Sequence, residues 1–330
     1  MTDNEEIIHV ENISKRFGNP SNPNSVLALD NISFSMTAGA NALLGPNGAG
    51  KSTLIKILLG YISADSGSAQ LMGYDIFKEG KKIRERIGYM PEHFCLIPGL
   101  NAVKQVALLG KIAGLPNAEA MQRSHETLEY VGLHEARYRE VKGFSTGMLQ
   151  RLKLAQSLVN DPELIILDEP TNGLDPKGRI EMIKLIHEIS HEHAIDLIVS
   201  SHLLPDIEAT CDYATILNRG KVITQGNIKE LTGQETETQS TRVMNVQIKG
   251  SFNKFLTELE NKGYSFTVDN KVIHIQYKDK LLANKLMEIA AETGVQIRSM
   301  TPRKAALEDV FVHEVMEDRN FSNQKIKPVK

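Results

Sequence analysis

The chain has 330 residues, of which 41% are apolar, and this is enough for two domains with packed cores. Its 38 Lys and Arg residues against 41 Asp and Glu residues give a net charge of −3, so the charge gives no general argument for nucleic-acid binding. The two cysteines, Cys95 and Cys211, form no C-x-x-C pair, which argues against a disulfide framework or a cysteine metal site.

No uninterrupted apolar run approaches the roughly 20 residues that a bilayer-spanning helix needs. The first six residues are polar and acidic, unlike a signal peptide. We therefore expect a soluble protein with free thiols in a reducing cytosol, one that could still dock on a membrane protein.

The first 90 residues are rich in predicted strands. Their apolar patterns predict strands at 7–13, 26–36, 42–44, 69–72 and 87–90. A glycine-rich loop follows the strand at 42–44, and the apolar residues after this loop predict the first turns of a buried helix that ends at Gly60.

The apolar spacing becomes helical between residues 100 and 160. Two helices are predicted before Gly114 and Gly132, and a third at 147–159. Continuous apolar runs at 164–167 and 197–199 then predict strands buried on both faces. We therefore predict an α/β core with a mainly parallel sheet, an antiparallel N-terminal β subdomain and an inserted helical subdomain at about 93–160.

Residues 232–242 contain no aliphatic or aromatic side chain, and we predict that they link the first domain, 1–231, to a second one. From residue 243 the predicted order is strand, helix, strand, strand, helix, strand, which is the ferredoxin-like order of a small α+β domain. A last helix from about 302 extends this domain to 316, and the polar residues 317–330 are predicted to be a disordered tail.

The glycine-rich loop at 45–53 reads Gly-Pro-Asn-Gly-Ala-Gly-Lys-Ser-Thr and has the form G-x-x-x-x-G-K-[ST] of a phosphate-binding loop. Its glycines let backbone N–H groups point inward, and the following helix adds partial positive charge. Lys51 can reach the β- and γ-phosphates, and the Ser52 hydroxyl is placed for Mg²⁺. The alternative, a glycine-rich turn with a chance lysine, is disfavoured by the strand and helix on either side. The candidate nucleotide-binding residues of the loop are Asn47, Gly48, Gly50, Lys51, Ser52 and Thr53.

Two carboxylates, Asp168 and Glu169, end the buried strand at 164–167. In a doubly wound sheet, ligands bind at the carboxyl ends of the strands. Asp168 can there hold Mg²⁺ through water beside Ser52, and Glu169 can orient an attacking water as a general base. The alternative is a pair of solvated acids, which the phosphate-binding loop makes the weaker interpretation. The pair therefore predicts a P-loop NTPase that hydrolyses its nucleotide.

These two motifs and four others, in the same order, resemble the ATP-binding subunit of ABC transporters over about residues 7–231. Residues 144–148 (Phe-Ser-Thr-Gly-Met) resemble the signature motif of that family, residues 172–176 its D-loop and residues 200–202 its switch-histidine loop. Phe17 matches the aromatic residue that stacks on adenine, although it could equally be a core aromatic. His202, alone, would be an ordinary packed or solvated histidine.

The resemblance implies ATP and Mg²⁺ as ligands and gives roles to matching residues. It assigns catalysis to Glu169 and His202, nucleotide binding to Phe17, Ser145, Gly147 and Asp175 besides the loop, and metal coordination to Ser52, Glu92 and Asp168. Two departures stand out: Thr146 and Met148 replace the common Gly and Gln of the signature motif, and Glu92 replaces the usual Gln. Both variants resemble the exporter-type subgroup with separately encoded ATPase subunits.

The resemblance also implies partners. It predicts a head-to-tail, ATP-dependent homodimer that is held on the inner face of the cell membrane by transmembrane permease subunits, with no nucleic-acid partner and a C-terminal regulatory or dimer-stabilising domain. An alternative is a soluble ABC ATPase that acts on ribosomes or nucleic acid, but such proteins usually carry two cassettes or a long coiled coil. A third possibility is a nucleotide-dependent scaffold without turnover, which the intact Asp168–Glu169 pair disfavours.

Overall fold

A computed structural model gives the architecture of the protein. It describes residues 6–19, 21–22, 24–94, 97, 99–193, 195–232, 242–269, 272–277 and 282–303. The chain divides into two compact units, Met1–Asn227 and Ile228–Lys330. Most of the predicted linker, Cys95 and the predicted tail lie outside the described residues.

The first unit contains both strands and helices in alternation. Its strands are β1 (Glu6–Phe17), β2 (Val26–Thr37), β3 (Ala40–Leu44), β4 (Ser66–Leu71), β5 (Tyr74–Asp75), β6 (Ile87–Met90), β7 (Leu164–Asp168), β8 (Asp196–Ser201), β9 (Tyr213–Asn218) and β10 (Lys221–Asn227). Its helices are α1 (Lys51–Leu58), α2 (Gly80–Arg86), α3 (Ala102–Ile112), α4 (Asn117–Tyr130), α5 (Thr146–Leu158), α6 (Pro176–His191) and α7 (Leu204–Thr210). No helix within the described ranges has the length and apolar character to cross a bilayer.

Two sheets organise this unit. An antiparallel sheet has the order β2-β1-β4-β5, and a six-stranded sheet has the order β10-β9-β3-β8-β7-β6. The second sheet is parallel except at its edge, where β10 pairs antiparallel with β9. Apolar residues of α1 share one buried cluster with residues of both sheets, for example Leu54 with Ile8 and Ile166. The predictions of an antiparallel N-terminal subdomain and a mainly parallel core sheet are confirmed.

Three helices, α3, α4 and α5, lie in the chain between β6 and β7, where the sequence predicts the helical insertion. Helix α5 is in close contact with β6. A Cβ atom on Gly88 would lie 2.0 Å from the carbonyl oxygen of Ser157, so only glycine fits there. The Asn160 side-chain amide donates to the carbonyl of Ile87 at 3.2 Å. This contact fixes the position of α5 along β6.

The second unit begins with the short helix α8 (Ile228–Leu231). It continues with β11 (Arg242–Lys249), α9 (Phe252–Asn261), β12 (Phe266–Asp269), β13 (Val272–Tyr277), α10 (Leu282–Thr293) and β14 (Gln296–Arg303). Its antiparallel sheet has the order β12-β13-β11-β14, with Phe255 of α9 and Leu286 of α10 buried in one apolar cluster. This is the predicted ferredoxin-like order. The helix predicted from 302 is wrong at its start, because 302 and 303 continue β14 as partners of β11, and its remainder lies outside the described residues.

Candidate functional site

An open cleft of about 610 Å³ lies at the carboxyl ends of the parallel strands. Residues 46–53, Glu92, Glu169 and His202 follow β3, β6, β7 and β8 respectively, and all of them line this cleft. Phe17, from the end of β1, lines it as well. Parallel strands bring their carboxyl ends to one edge, so residues that are distant in sequence meet there.

The loop between β3 and α1 depends on glycine. Gly48 and Gly50 have φ angles of +82° and +108°, in the left-handed region that L side chains rarely adopt. A Cβ on Gly50 would also lie 2.6 Å from the carbonyl oxygen of Ala28. Gly50 caps the N-terminus of α1, whose first N–H groups have no partner within the helix, and residues 50–53 line the cleft. The loop can therefore bind phosphate oxygens through backbone N–H groups.

Lys51 is a buried cation at the start of α1. Its ammonium donates to the carbonyl of Gly45 at 2.6 Å and lies 3.8 Å from Oε1 of Glu169. Burial lowers the pKa of Lys51, and the nearby carboxylates, Glu169 foremost, act in the opposite direction. An incoming phosphate would add negative charge beside this ammonium and would favour its charged form.

Glu169 and His202 are a hydrogen-bonded carboxylate–imidazole pair in the cleft. Glu169 directly follows β7 and has a φ of +51°, and its N–H donates to the carbonyl of Ser200 at 2.9 Å. A non-glycine residue in this conformation is strained, and such strain occurs often at functional sites. Its Oε2 lies 2.9 Å from Nδ1 of His202. The structure therefore brings together the two residues that the sequence predicts to be catalytic.

Asp168, the last residue of β7, offers an oxygen that suits a divalent cation. It is 3% exposed, and among the residues that the structure describes its Oδ1 has no hydrogen-bond partner. Burial raises the pKa of Asp168, and the carboxylates of Glu92 and Glu169 act in the same direction, against Ser200 and Lys51. Mg²⁺ favours carboxylate and hydroxyl oxygens together with phosphates and water. The oxygens of Asp168 and of the cleft residues Glu92 and Ser52 therefore fit Mg²⁺.

Four predicted residues do not line the cleft of their own chain. Asp168 is one of them, since it is buried at the end of β7, and the other three are Ser145, Gly147 and Asp175. Ser145 caps the N-terminus of α5, where its Oγ accepts from the N–H of Met148 at 3.3 Å. Asp175 caps α6 in the same way, accepting from the N–H of Gly178 at 2.9 Å. The capping roles were not predicted from the sequence, although Ser and Asp are common N-cap residues.

Comparison with known proteins identifies the family. The model of the ABC transporter family matches residues 29–172. The chain is 33% identical to the bacitracin transport ATP-binding protein BcrA of Bacillus licheniformis, over 93% of this chain and 96% of that protein. It is 31% identical to the linearmycin resistance ATP-binding protein LnrL of Bacillus subtilis (strain 168), over 93% of this chain and 97% of that protein.

The chain belongs to the ABC transporter ATP-binding proteins. Its fold matches that of the ATP-binding cassette MJ0796 in a dimeric, post-hydrolysis state bound to ADP and Pi. The TM-score is 0.61 at 23% identity, over 67% of this chain and 98% of that one, so this likeness shows the fold alone. The predictions of family, P-loop NTPase fold and ATPase function in transport are confirmed.

The cleft of this ABC ATPase also contains residues that were not singled out from the sequence. Val26 pairs with Phe17 across β1 and β2 and lines the cleft together with Ala28. Asn172 also lines the cleft, and its carbonyl accepts from the Gln150 side chain at 2.8 Å. Of these residues, only Asn172 belongs to a segment that the sequence marks as functional, since it begins the segment that resembles the D-loop.

A buried polar network lies beside the cleft of the ABC ATPase. The Asp206 carboxylate of α7 is 4% exposed and accepts from the Thr171 hydroxyl at 2.6 Å and from Nε of Arg179 at 2.5 Å. Thr171 lies two residues after Glu169, and Asp206 lies four residues after His202. The network therefore joins the two segments that carry the candidate catalytic residues.

Proposed function

We propose that this ABC ATPase hydrolyses Mg²⁺-bound ATP with Glu169 as the general base and thereby powers export through separately encoded permease subunits. One observation carries the catalytic part of the proposal. Glu169 Oε2 lies 2.9 Å from His202 Nδ1, and Glu169 Oε1 lies 3.8 Å from the ammonium of Lys51, in the cleft that the phosphate-binding loop lines. A base, a histidine and a phosphate-binding cation thus share one cleft, in which the base can orient water toward a bound phosphate.

The residues of the cleft have different roles in binding the nucleotide and its metal ion. The loop N–H groups and Lys51 bind the triphosphate, and Phe17 offers its exposed ring to the base of the nucleotide. Asp168, Ser52 and Glu92 hold Mg²⁺, which neutralises phosphate charge when bound. The remaining residues act directly on the reacting groups.

Glu169 accepts a hydrogen bond from the attacking water and orients it toward the γ-phosphate. His202 contacts the γ-phosphate from the end of β8, and its hydrogen bond to Glu169 holds both side chains in place. Because both groups are positioned before the nucleotide arrives, little reorganisation is needed during the reaction.

A second copy of the chain completes the site in this proposal. Ser145, Gly147 and Asp175 lie outside the cleft of their own chain, which supports a head-to-tail dimer in which they reach the nucleotide of the partner. The exposed Ser145 at the N-terminus of α5 has the hydroxyl and the helix end that favour a phosphate contact. The MJ0796 cassette, whose fold this chain shares, forms a dimer, and this is in line with a dimeric form of this ATPase.

The names of the relatives support export as the transport direction. BcrA is named for bacitracin transport and LnrL for linearmycin resistance. We infer that the permease of this ATPase carries an antibiotic, and that the ATPase is bound to this permease on the cytoplasmic face of the membrane. Co-purification with the permease encoded nearby, together with its bound compound, tests this part.

The catalytic part is tested by Glu169→Gln, which keeps the size of the side chain and removes its basicity. We expect ATP binding to stay within about twofold of the wild type, whereas turnover falls by about 100-fold or more, the usual contribution of a general base. The ATP-bound dimer should also persist longer in gel filtration. Wild-type turnover in this variant would exclude Glu169 as the base.

A further inference from the structure

Lys153, in the middle of α5, is a buried cation that the proposed mechanism does not use. It is 3% exposed. Its ammonium donates to the carbonyl oxygens of Pro91 at 2.6 Å and Glu92 at 2.9 Å, and it lies 4.7 Å from the centroid of the Phe94 ring. These three partners belong to one segment, residues 91–94, which follows β6 and carries Glu92 into the cleft.

Lysine side chains are rarely buried, because the ammonium loses its contact with water. Taking an ammonium out of water costs several kcal/mol unless its N–H groups are hydrogen-bonded and its charge is compensated. Carbonyl oxygens and an aromatic ring provide this compensation. Residues 91–94 form no helix or strand, and the carbonyl groups of Pro91 and Glu92 accept hydrogen bonds from the Lys153 ammonium instead of from a neighbouring strand.

Helix α5, which carries Lys153, is held against β6 by two contacts. The close approach of Gly88 to Ser157 and the hydrogen bond from Asn160 to Ile87 fix α5 against the beginning of β6. Lys153 lies one helical turn before Ser157 and reaches the residues that follow the end of the same strand. The ammonium therefore extends from a helix whose position along β6 is set by these two contacts, and such a helix can hold a loop in place.

The position of Glu92 matters because its carboxylate is one of the charged groups of the cleft. Its negative charge acts to raise the pKa of both Lys51 and Asp168. We propose that Lys153 is a positioning residue: by holding the carbonyls of Pro91 and Glu92, it fixes the Glu92 carboxylate near Asp168 and so sets the Mg²⁺ dependence of nucleotide binding. The inference rests on the proposed function, because it takes Glu92 as one of the Mg²⁺-binding residues.

The test is equilibrium binding of a fluorescent ATP analogue to the full chain, titrated with Mg²⁺. Lys153→Met keeps an unbranched side chain and removes the ammonium. We expect the Mg²⁺ concentration at half-maximal effect to rise by about tenfold, as is usual when a group that orients a metal ligand is lost. Affinity for the analogue without metal should stay within about twofold, since the loop and Lys51 are unchanged. Lys153→Arg, which can donate to both carbonyls, should restore the wild-type Mg²⁺ dependence.

Two further variants separate positioning from general weakening of the fold. Ser157→Ala removes a buried hydroxyl of α5 that donates to the carbonyl of Leu154 within the same helix, and we expect it to leave the Mg²⁺ titration unchanged. In a Glu92→Ala background, Lys153→Met should no longer shift the titration, because no carboxylate is left to position. If Lys153→Met does not fold, Lys153→Gln takes its place, with the same expected direction.

The outcomes separate this inference from the proposed function. A Mg²⁺ titration that is unchanged in the folded Lys153 variant overturns the inference, and so does an equal shift in the Glu92→Ala background. If the wild-type chain binds the analogue but Mg²⁺ has no effect on binding, then the metal-binding part of the proposed function fails before any Lys153 variant is made. If it does not bind the analogue at all, the assignment of the cleft as a nucleotide site fails.

Discussion

Glu169 and His202 are 33 residues apart in the chain, yet Oε2 of the first lies 2.9 Å from Nδ1 of the second. Their strands, β7 and β8, are parallel neighbours, with Asp168 paired to Ser200 at the carboxyl end. Each side chain therefore leaves its strand at the same edge of the sheet. Glu169 has a left-handed backbone conformation, and its carboxylate contacts both His202 and Lys51 of the phosphate-binding loop.

His202→Ala tests the partnership of these two side chains. Loss of the imidazole removes a contact with the reacting phosphate and the hydrogen bond that orients Glu169. We expect kcat to fall by about 100-fold with a small change in KM, as for other groups that stabilise charge mainly in the transition state. The exposed His134, which pairs with Glu129 outside the cleft, gives a matched control, and His134→Ala should keep wild-type kinetics. An unchanged kcat in His202→Ala would remove this histidine from the mechanism.

Gly50→Ala tests the geometry of the phosphate-binding loop. A Cβ at this position meets the Ala28 carbonyl at 2.6 Å and a Leu29 methyl at 2.8 Å, in addition to the strain of a φ of +108°. Gly39 has a similar φ of +110°, but an added Cβ would have no atom within 4 Å. Gly39→Ala is therefore a control that has the backbone strain without the steric clash. We expect both variants to lose about 1–3 kcal/mol of stability, and Gly50→Ala to lose at least tenfold in ATP affinity as well. Equal ATP affinity in the two variants, measured by calorimetry, would contradict the steric argument.

Asp206→Asn tests the buried network beside the cleft. The substitution removes the charge that compensates Arg179 and leaves an amide against the Thr171 hydroxyl. We expect a loss of about 2 kcal/mol in the free energy of unfolding, measured with urea, because hydrogen bonds to a buried charge are among the strong ones. The control is Asp161→Asn, since Asp161 also pairs with an arginine but has an 85% exposed side chain. Its expected loss is below about 0.5 kcal/mol, and similar losses in both variants would show that the network adds no stability.

A mixing experiment tests the head-to-tail dimer. Lys51→Ala disables the loop of a chain but leaves its Ser145 intact, and Ser145→Glu does the reverse. Neither variant alone should hydrolyse ATP. In an equal mixture about half of the dimers are heterodimers, each with one complete site, so about a quarter of the wild-type activity should return. A mixture that stays inactive, while gel filtration shows that heterodimers form, would argue that Ser145 does not act on the nucleotide of the partner.

The sequence by itself determined the local parts of this protein. The glycines and lysine of the phosphate-binding loop, the apolar run before Asp168 and Glu169, and the strand–helix order of the C-terminal unit all follow from short-range patterns, since each depends on neighbouring residues. Strands β9 and β10 were not among the predicted elements, because their short segments carry a weak pattern. Strand β9 is stabilised by pairing with β3 on one side and with β10, the edge strand, on the other.

Only the tertiary structure decided which residues meet. The sequence placed Ser145, Gly147 and Asp175 in one set with the loop, but the fold leaves them outside the cleft of their own chain. It brings in Val26, Ala28 and Asn172 instead, and it attaches Lys153 to the segment of Glu92. Contacts between distant segments depend on strand order and helix placement, and these are fixed by the burial of the whole core rather than by any short stretch of sequence.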